Sequence, residues 1–414
     1  MARILVVKHL FPYPPNQGTR RVSLGLLRDL APAHDVVYLC QREHPAEKRL
    51  VPEIEALGVR VVAPLMPNHL SPAHRLLYKL KNRTLARLRH VPEVSLYWSN
   101  ATLRRHMRKI GREFHPELTL IENWETYPLR RCVTGGVAAM LAHDAAYQIL
   151  ERSVAATDDP AERTRRAARL AREKELEIDA WARYDGVLTL TEQDRVKVEQ
   201  ELQRRGYDRC VRCLPVPVAD EFFAFPRPAQ PAARIGFLGT FRADFNRDAL
   251  RFLIDEVWPG VRARLPQATL TIAGNGHAGA LRADAEAAGA RWLGFVDELA
   301  DFFGAIDLLV VPLRYAGGIR IRILEALAAG VATVATPIAA AGLGLTHREE
   351  IRIAEGAKQL AEEIAAVLAR PEEVRALGAR GRAWCQAHHS VSALRPQRLA
   401  AIDDLLALST DTRP

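Results

Sequence analysis

The stretch Tyr315-Ala-Gly-Gly-Ile-Arg-Ile-Arg-Ile-Leu-Glu-Ala-Leu-Ala-Ala-Gly330 joins a glycine turn to an amphipathic helix. The apolar run 306–313 before it predicts a buried strand, and from Ile319 onward the apolar residues recur on one helical face. Gly317 and Gly318 permit a tight turn that a ligand can approach closely, and Gly330 is a natural helix end. The stretch therefore predicts one strand–turn–helix unit of an α/β sheet.

The turn and the helix N-terminus together predict an anion site. The first amides of a helix lack partners within it, and the helix dipole favours negative charge there. Arg320 and Arg322 place two cations in that first turn, where each would cost about 0.3–1 kcal/mol without an anion. We expect a phosphate or diphosphate ligand, with Glu325 accepting from ligand hydroxyls or pairing with Arg322. The alternative is an ordinary strand–helix unit whose arginines lie on a solvated face.

Composition limits the classes of protein to consider. The chain has 414 residues, enough for two large domains, and an ordinary apolar content of 48%. It has neither an apolar run long enough to span a membrane nor an N-terminal signal core, so we expect a cytoplasmic protein. The net charge of +9 fits anionic partners such as nucleotides, phosphorylated substrates or an anionic membrane, and we expect no nucleic-acid partner.

Five cysteines argue against a disulfide scaffold. Cys210 and Cys213 have CxxC spacing, but the sequence has no second Cys or His pair near them. Two buried thiols beside a strand are therefore favoured over a zinc or redox site.

Short apolar strands alternate with helices in two successive series, separated by the proline-rich segment 225–233. We predict an N-terminal domain at 1–215, a second domain at 216–390 and a C-terminal helix at 391–414 that packs back toward the N-terminal domain. Each series predicts a Rossmann-like, doubly wound parallel sheet, which binds ligands at the carboxyl ends of its strands. Neither first strand is followed by GxGxxG, which argues against a nicotinamide or flavin enzyme.

Polar residues follow several predicted strands of the first domain. Gly18 lies in the loop after the first strand, and Glu122-Asn-Trp124 ends the strand 118–122. His143 and Asp144 follow the strand 137–141. A His-Asp pair at a strand end is where chemistry would lie in such a fold, but a hydrogen-bonded structural histidine fits equally well.

The segment Arg75–Lys109 contains ten Lys or Arg residues and one acidic residue, Glu93, with interspersed leucines. It predicts two basic helical pieces broken at Pro92. Such a segment is a solvated face, an interfacial membrane surface, or a site for an anionic acceptor.

Several short motifs, weak singly, occur in a specific order and spacing across nearly the whole chain. They are Phe11-Pro-Tyr-Pro-Pro-Asn-Gln-Gly18, His143-Asp144, Leu190-Thr-Glu192, Phe237-Leu-Gly-Thr240, Ile272-Ala-Gly-Asn-Gly276, Gly294-Phe-Val-Asp297, Val311-Pro-Leu-Arg314, the stretch 317–330 and Thr336-Pro337. In these motifs the chain resembles the GT-B glycosyltransferases, and more narrowly retaining glycosyltransferase family 4, also called glycosyl transferases group 1.

The resemblance implies two Rossmann-like domains facing a central cleft, and transfer of a sugar, with retention, from a nucleotide-diphosphate donor to an acceptor. It implies no metal and no cofactor beyond that donor substrate. The catalytic residues that it implies are His143 at the donor sugar, Gly18 near the diphosphate, and Arg320. The donor-binding residues that it implies are Gly317, Gly318, Ile319, Arg320, Ile321 and Arg322 at the diphosphate, Glu325 at the ribose, Gly274 and Val296 at the nucleobase, and Thr240, Arg242 and Arg247. Acceptor contacts would come from Glu122, Asn123 and Trp124.

The chain departs from the family pattern at two places. Gly317 stands where the first of two glutamates binds the donor sugar, and Arg322 stands at the lysine of a subgroup reading Gly-x-Arg-x-Lys-x-Leu-Glu. After the first strand of the second domain, only Arg242 and Arg247 supply nearby cations, which leaves open which of them contacts phosphate. A GT-B nucleotide-sugar epimerase, a two-domain dehydrogenase and a non-catalytic nucleotide-sugar-binding subunit are the alternatives.

Overall fold

The computed structural model describes two compact units, each built on its own parallel sheet. It describes residues 1–15, 18–66, 72–89, 91–155, 157, 159–228 and 230–411, without the side chains of 72–75, 89 and 409–411. The first unit comprises the described parts of Met1–Glu151, Asp159–Val216 and Arg395–Pro414. The second comprises the described parts of Arg152–Asp158 and Pro217–Leu394.

The described residues of the first unit form a seven-stranded parallel sheet. Its strands are β1 (Arg3–Val7), β2 (Asp35–Leu39), β3 (Arg60–Val62), β4 (Leu118–Glu122), β5 (Val137–Ala142), β6 (Gly186–Thr189) and β7 (Cys210–Cys213). The helices that begin in this unit are α1 (Gly18–Leu30), α2 (Val51–Glu55), α3 (Pro72–Arg89), α4 (Glu93–Trp98), α5 (Ala101–Phe114), α6 (Tyr147–Ala155), α7 (Pro160–Ala182) and α8 (Glu192–Arg204), with 3-10 turns at Pro45–Leu50 and Trp124–Cys132.

The sheet order of the first unit is β3-β2-β1-β4-β5-β6-β7. Residues 4–7 of β1 are apolar and almost fully buried, as expected for a central strand covered on both faces. In register, Val6 lies between Tyr38 of β2 and Leu120 of β4. Because chain order reverses between β1 and β4, a crevice opens at the carboxyl ends of these two strands.

The second unit repeats this arrangement with six parallel strands among its described residues. They are β8 (Arg234–Leu238), β9 (Thr269–Ala273), β10 (Arg291–Gly294), β11 (Leu308–Val311), β12 (Ala332–Ala335) and β13 (Arg352–Ile353). The helices that begin in it are α9 (Asp244–Phe252), α10 (Trp258–Arg264), α11 (Ala280–Ala287), α12 (Leu299–Ala305), α13 (Ile321–Ala328), α14 (Pro337–Ala340), α15 (Gly356–Leu368), α16 (Pro371–His389) and α17 (Val391–Asp411), with a 3-10 turn at Asp220–Ala224 and a π turn at Leu253–Val257. The sheet order is β10-β9-β8-β11-β12-β13, so the chain order reverses between β8 and β11.

The C-terminal segment completes the core of the first unit. The Arg398 side chain is 2% exposed, its Nε lies 2.6 Å from Asp29 Oδ2, and its Nη1 donates to the Pro215 carbonyl. Leu405 lies so close to Gly186 of β6 that an added Cβ there would fall 2.3 Å from it. A buried arginine is tolerated here because a carboxylate pairs with its charge and a carbonyl oxygen accepts from its Nη1.

Two local expectations are wrong. The basic segment forms three helices, α3 to α5, rather than two pieces, because the Asn100 side chain accepts from Leu103 N at 3.1 Å and starts α5 separately. Cys210 and Cys213 lie on the strand β7 rather than beside one, and Cys210 is only partly buried. Within the described residues no cluster of His, Cys, Asp and Glu could hold a metal, and no helix is long and apolar enough to cross a membrane.

The turn before β5 provides a test of the backbone geometry. Gly136 has φ +68°, and an added Cβ would lie 2.5 Å from the carbonyl oxygens of Pro116 and Glu117. Gly136→Ala should therefore lower the free energy of unfolding by about 1–3 kcal/mol, measured by urea denaturation. Gly135→Ala is the matched control, because its Cβ would meet nothing within 4 Å. Equal stability of the two variants would contradict this geometry.

Candidate functional site

The carboxyl edge of the first sheet holds a buried charge cluster made by Lys8, Glu122 and His143. Lys8 follows β1, Glu122 ends β4 and His143 follows β5, so the parallel sheet brings them together. Lys8 Nζ and His143 Nε2 lie 2.8 and 2.9 Å from the same oxygen, Glu122 Oε2. Ser23 Oγ donates to this oxygen at 2.7 Å, and Lys8 also donates to the Thr19 carbonyl at 2.8 Å. The three side chains are almost fully buried.

The protonation states in this cluster follow from burial and its partners. Burial alone would raise the pKa of Glu122, but Lys8 and the bond from His143 outweigh it and bring the pKa to about 2. Burial lowers the pKa of His143 in spite of the Glu122 carboxylate. His143 is therefore neutral at pH 7. Because a carboxylate only accepts, the His143 Nε2 carries the proton and donates it, which leaves Nδ1 as an acceptor.

Polar atoms without partners border this cluster. Among the described residues, Glu122 Oε1, His9 Nδ1 and Asn123 Oδ1 are buried and have no hydrogen-bond partner. Burial holds the pKa of His9 well below its usual value, and its ring stacks on Trp98 at a centroid distance of 3.8 Å. Asn123 has φ +71°, a strained conformation of the kind found at functional sites. Buried atoms of this kind are usually satisfied by water or a ligand.

The structure changes the roles predicted for the first domain. Glu122 and Trp124 were predicted to contact an acceptor, but Glu122 is fully buried and bound to Lys8, Ser23 and His143, and Trp124 packs in the apolar core. The packing of Trp124 in the core argues against direct acceptor contact, whereas the acceptor roles of Glu122, whose Oε1 has no partner, and of the half-buried Asn123 stay predictions. Gly18 is the first residue of α1, and residues 16 and 17 of its loop lie outside the described part of the chain.

Lys8, His9 and Ser23 are site residues that were not predicted from the sequence. Lys8 and His9 directly follow the first strand, and the rule that ligands bind at the carboxyl ends of parallel strands could have singled them out. Ser23 gives no comparable signal, because it lies in the second turn of an otherwise ordinary helix.

At the carboxyl edge of the second sheet, the loops after β8, β9 and β10 are closely packed. Gly239 N donates to the Ala273 carbonyl at 3.0 Å, and Gly274 N donates to the Gly294 carbonyl at 2.7 Å. A Cβ on Gly274 would lie 1.7 Å from the Gly239 carbonyl oxygen, so only glycine fits there. The close packing of the two loops therefore requires glycine at this position.

Arg322 crosses this edge from the first turn of α13. Its Nη2 lies 3.0 Å from Asn246 Oδ1, its Nη1 donates to the Leu238 carbonyl, and Asn246 Nδ2 donates to the Thr240 carbonyl at 2.9 Å. Burial lowers the pKa of Arg322 to about 10. No carboxylate in the described residues forms an ion pair with it. A partly buried cation without a counter-ion, at a helix N-terminus beside the β8–β11 crevice, is suited to an anionic ligand.

Arg320 makes different contacts from those that the sequence predicts. Helix α13 begins at Ile321, so Arg320 is its N-cap residue and does not lie in the first turn. Its guanidinium donates to the carbonyls of Gly318, Ala339 and Ala341, the second at 2.8 Å, and its side chain is 6% exposed. These bonds fasten the glycine turn, in which Gly318 has φ +63°, to helix α14 and the residue that follows it. Arg320 therefore holds the shape of the turn.

The remaining predicted donor residues occupy separate environments. Arg247 Nη1 donates to the Phe241 carbonyl at 2.7 Å and its Nη2 pairs with Asp244, whereas the Arg242 side chain is exposed beside the Gly276 turn. Val296 packs against the core of the second unit. Glu325 is buried on α13. At this edge Arg322 is thus a partly buried cation, and Arg242 is an exposed one.

Comparisons with known proteins agree with this arrangement. Residues 232–370 match the family model described as Glycosyl transferases group 1. No curated protein matches the sequence.

Solved structures match over nearly the whole chain. Sucrose-phosphate synthase from Thermosynechococcus elongatus is 17% identical with a TM-score of 0.68, over 99% of this chain and 100% of that one. Anabaena HepE in complex with UDP-glucose is 13% identical with a TM-score of 0.68, over 98% and 100%. The alpha,alpha-trehalose 6-phosphate synthase from Burkholderia multivorans is 11% identical with a TM-score of 0.64, over 99% and 100%.

These comparisons confirm the fold predicted from the sequence. The chain has the GT-B fold, with two Rossmann-like units. Its segment 232–370, which contains the glycine turn and Arg322, carries the pattern of the Glycosyl transferases group 1 family and supports a glycosyltransferase.

Proposed function

We propose that this protein is a retaining glycosyltransferase that takes a sugar from a nucleotide-diphosphate donor. The observation that carries the proposal is Arg322, a partly buried guanidinium that no described carboxylate neutralises, within the segment that matches the family model. The solved structure of HepE in complex with UDP-glucose, which shares the fold, supports a donor of this class. Retention of anomeric configuration follows from the resemblance to the family.

In this proposal the second unit binds the donor diphosphate. The Arg322 guanidinium and the backbone amides from Gly317 to Ile321 hold the phosphates, while Arg320 keeps the turn in shape through its carbonyl contacts. Negative charge grows on the leaving nucleotide diphosphate as the glycosidic bond breaks. A cation already fixed in a water-poor site stabilises that charge without reorganising. We therefore infer that the protein needs no divalent metal for this step.

The proposed contacts to the nucleoside of the donor lie at the same carboxyl edge of the second sheet. We place the nucleobase at the glycine turn after β9, at Gly274, with Val296 beside it. Glu325 takes the ribose hydroxyls, and Arg242, which is exposed, supplements Arg322 at the phosphates. Thr240 and Arg247 fix the loop after β8. The Thr240 carbonyl accepts a hydrogen bond from Asn246, and Arg247 donates to the Phe241 carbonyl.

His143 contacts a hydroxyl of the substrate sugar in this proposal. Its Nε2 donates to Glu122, so its Nδ1 accepts from the hydroxyl. Glu122 is a positioning residue that fixes the tautomer and the ring orientation, as carboxylates do for functional histidines. Lys8 keeps Glu122 ionised in spite of its burial.

A first test is donor turnover by the full-length protein. A panel of nucleotide sugars that includes UDP-glucose is screened by thermal shift, and the stabilising donors are incubated with candidate acceptors in the presence of EDTA. We expect release of nucleoside diphosphate that depends on an acceptor, with a product of the donor's anomeric configuration by NMR. Interconversion of the donor sugar without an acceptor would indicate an epimerase, and donor binding without turnover would indicate a non-catalytic subunit.

A second test separates phosphate binding from nucleoside binding. Arg322→Gln should weaken nucleoside diphosphate binding by about tenfold or more, and leave nucleoside binding unchanged, because only the phosphates face the lost charge. The measurement is isothermal titration calorimetry with both ligands. Arg264→Gln is the control, since Arg264 forms an exposed pair with Glu362 on the same unit. An equal loss of both affinities would make Arg322 merely structural.

A third test concerns the tautomer of His143. In the wild-type protein, ¹⁵N NMR of the His143 ring should show a protonated Nε2 and a bare Nδ1 at pH 7. Glu122→Gln removes the carboxylate that fixes this form, so turnover should fall by about tenfold or more. Glu117→Gln, an exposed carboxylate at the amino end of β4, is the control.

The pH dependence of turnover tests the effect of Glu122 on the pKa of His143. Protonation of Nδ1 removes the proposed acceptor, so turnover should decline only below the ordinary histidine pKa of 6.5. Glu122 raises the pKa of His143, so its removal should move this decline to lower pH. A decline that moves to higher pH in Glu122→Gln, or a tautomer that does not change, would contradict the role of Glu122.

A further inference from the structure

Helix α3 presents an apolar stripe to solvent. Among the described residues, four of the eight large apolar side chains that lie exposed belong to this one helix. They are Leu76 at 61%, Leu77 at 64%, Leu80 at 53% and Leu88 at 72% exposed. Scattered exposed leucines are ordinary, but a group of them on one helix marks an interaction surface.

The four leucines share one side of the helix. At about 100° per residue, Leu76, Leu80, Leu77 and Leu88 fall within an arc of about 120°. Thr84, also exposed, lies within the same arc. We call these five residues the leucine face.

The opposite side of α3 is held in the first unit, so the leucine face is a fixed feature of the fold. Asn82 and Ala86 are buried on that side. The ring of Tyr78 lies 6.1 Å from that of Tyr97 on α4. Burial raises the pKa of Tyr78, and its hydrogen bond with Asn82 acts in the opposite direction. These contacts orient the helix with its leucines outward.

Basic side chains flank the leucine face. Lys79 and Arg83 lie on one side of it and Lys81 on the other, while Arg87 lies within its arc. All four are exposed, and none of them forms an ion pair with a described residue. Residues 72–89 include no Asp or Glu. Helix α7 shows how this chain builds a solvated helix instead, because its Arg166 and Arg169 pair with Glu162 and Glu173.

We propose that α3 docks on the surface of an anionic phospholipid bilayer. Its leucine face enters the boundary between headgroups and acyl chains, and its unpaired lysines and arginines contact lipid phosphates. The charge favours this partner over a second copy of the chain. Two leucine faces packed together would bring their flanking cations close to one another.

The test is vesicle cosedimentation of the full chain. Vesicles made of an equal mixture of phosphatidylcholine and phosphatidylglycerol should bind the protein at low salt, and binding should fall steeply as salt rises. Vesicles of phosphatidylcholine alone should bind it weakly. Absence of binding to the anionic vesicles at low salt would overturn the proposal.

Paired variants separate the leucine face from general charge attraction. Leu76→Ser with Leu80→Ser should lower the apparent partition coefficient by about tenfold, because binding scales with the apolar area buried. Val196→Ser with Tyr207→Ser is the control, since both side chains are exposed on the same unit outside α3. Both proteins should melt at the wild-type temperature, because the substituted side chains are exposed.

A variant that removes three cations tests whether the basic side chains of α3 contact lipid phosphates. Lys79→Gln with Arg83→Gln and Arg87→Gln should weaken binding to anionic vesicles and flatten its salt dependence. Wild-type binding by the leucine variant would reduce the interaction to charge alone and overturn the docking of α3. Sedimentation velocity tests the remaining alternative. If the wild-type protein is a dimer and the leucine substitutions dissociate it, the leucine face binds a second copy of the chain, and the membrane proposal is overturned.

Discussion

The buried and partly buried charged groups of the candidate site lie where the chain order reverses beside the first strand of each sheet. Apolar strands fill both sheets, and loops that leave adjacent strands in opposite directions expose a crevice at their carboxyl ends. The Lys8–Glu122–His143 cluster lies at that reversal in the first unit, and Arg322 lies at it in the second. Everything proposed for catalysis depends on these two edges.

The two edges differ in whether their charged groups have a counter-ion. In the first unit, Lys8 and Glu122 form a buried ion pair, and Ser23 and His143 bond the same oxygen of the carboxylate. Removing one member of such an ion pair leaves an uncompensated buried charge, which is strongly destabilising. In the second unit, carbonyl and amide oxygens contact the Arg322 guanidinium without neutralising it. The first edge is suited to orienting a neutral histidine, and the second to receiving an anion.

Much of the sheet framework could be predicted from the sequence. The run 118–122 predicts β4 with the observed bounds, and the run 137–141 predicts β5 to within one residue, since strands buried on both faces are apolar. Strand β7 is not a continuous apolar run, because it lies at the sheet edge and has the exposed Arg212 between buried residues. Strand β13 has only two residues, too few for a pattern.

The candidate site was less predictable, because its partners are distant in the chain. Lys8 and Glu122 are separated by 114 positions, and no local pattern relates them. Arg320 and Arg322 looked equivalent in the sequence, yet the backbone directs Arg320 toward carbonyls 19 and 21 residues away and Arg322 toward the loop after β8. A motif identified the anion site, but only the folded chain distinguishes the residue that shapes the turn from the residue that carries its free charge.

The central claim is that Arg322 and the N-terminus of α13 hold a nucleotide diphosphate. A crystal structure of the protein soaked with a nucleoside diphosphate tests this most directly. We expect phosphate oxygens within hydrogen-bonding distance of the Arg322 guanidinium and of the backbone amides between Gly317 and Ile321. Phosphates bound elsewhere, with Arg322 contacting only Leu238 and Asn246, would contradict it.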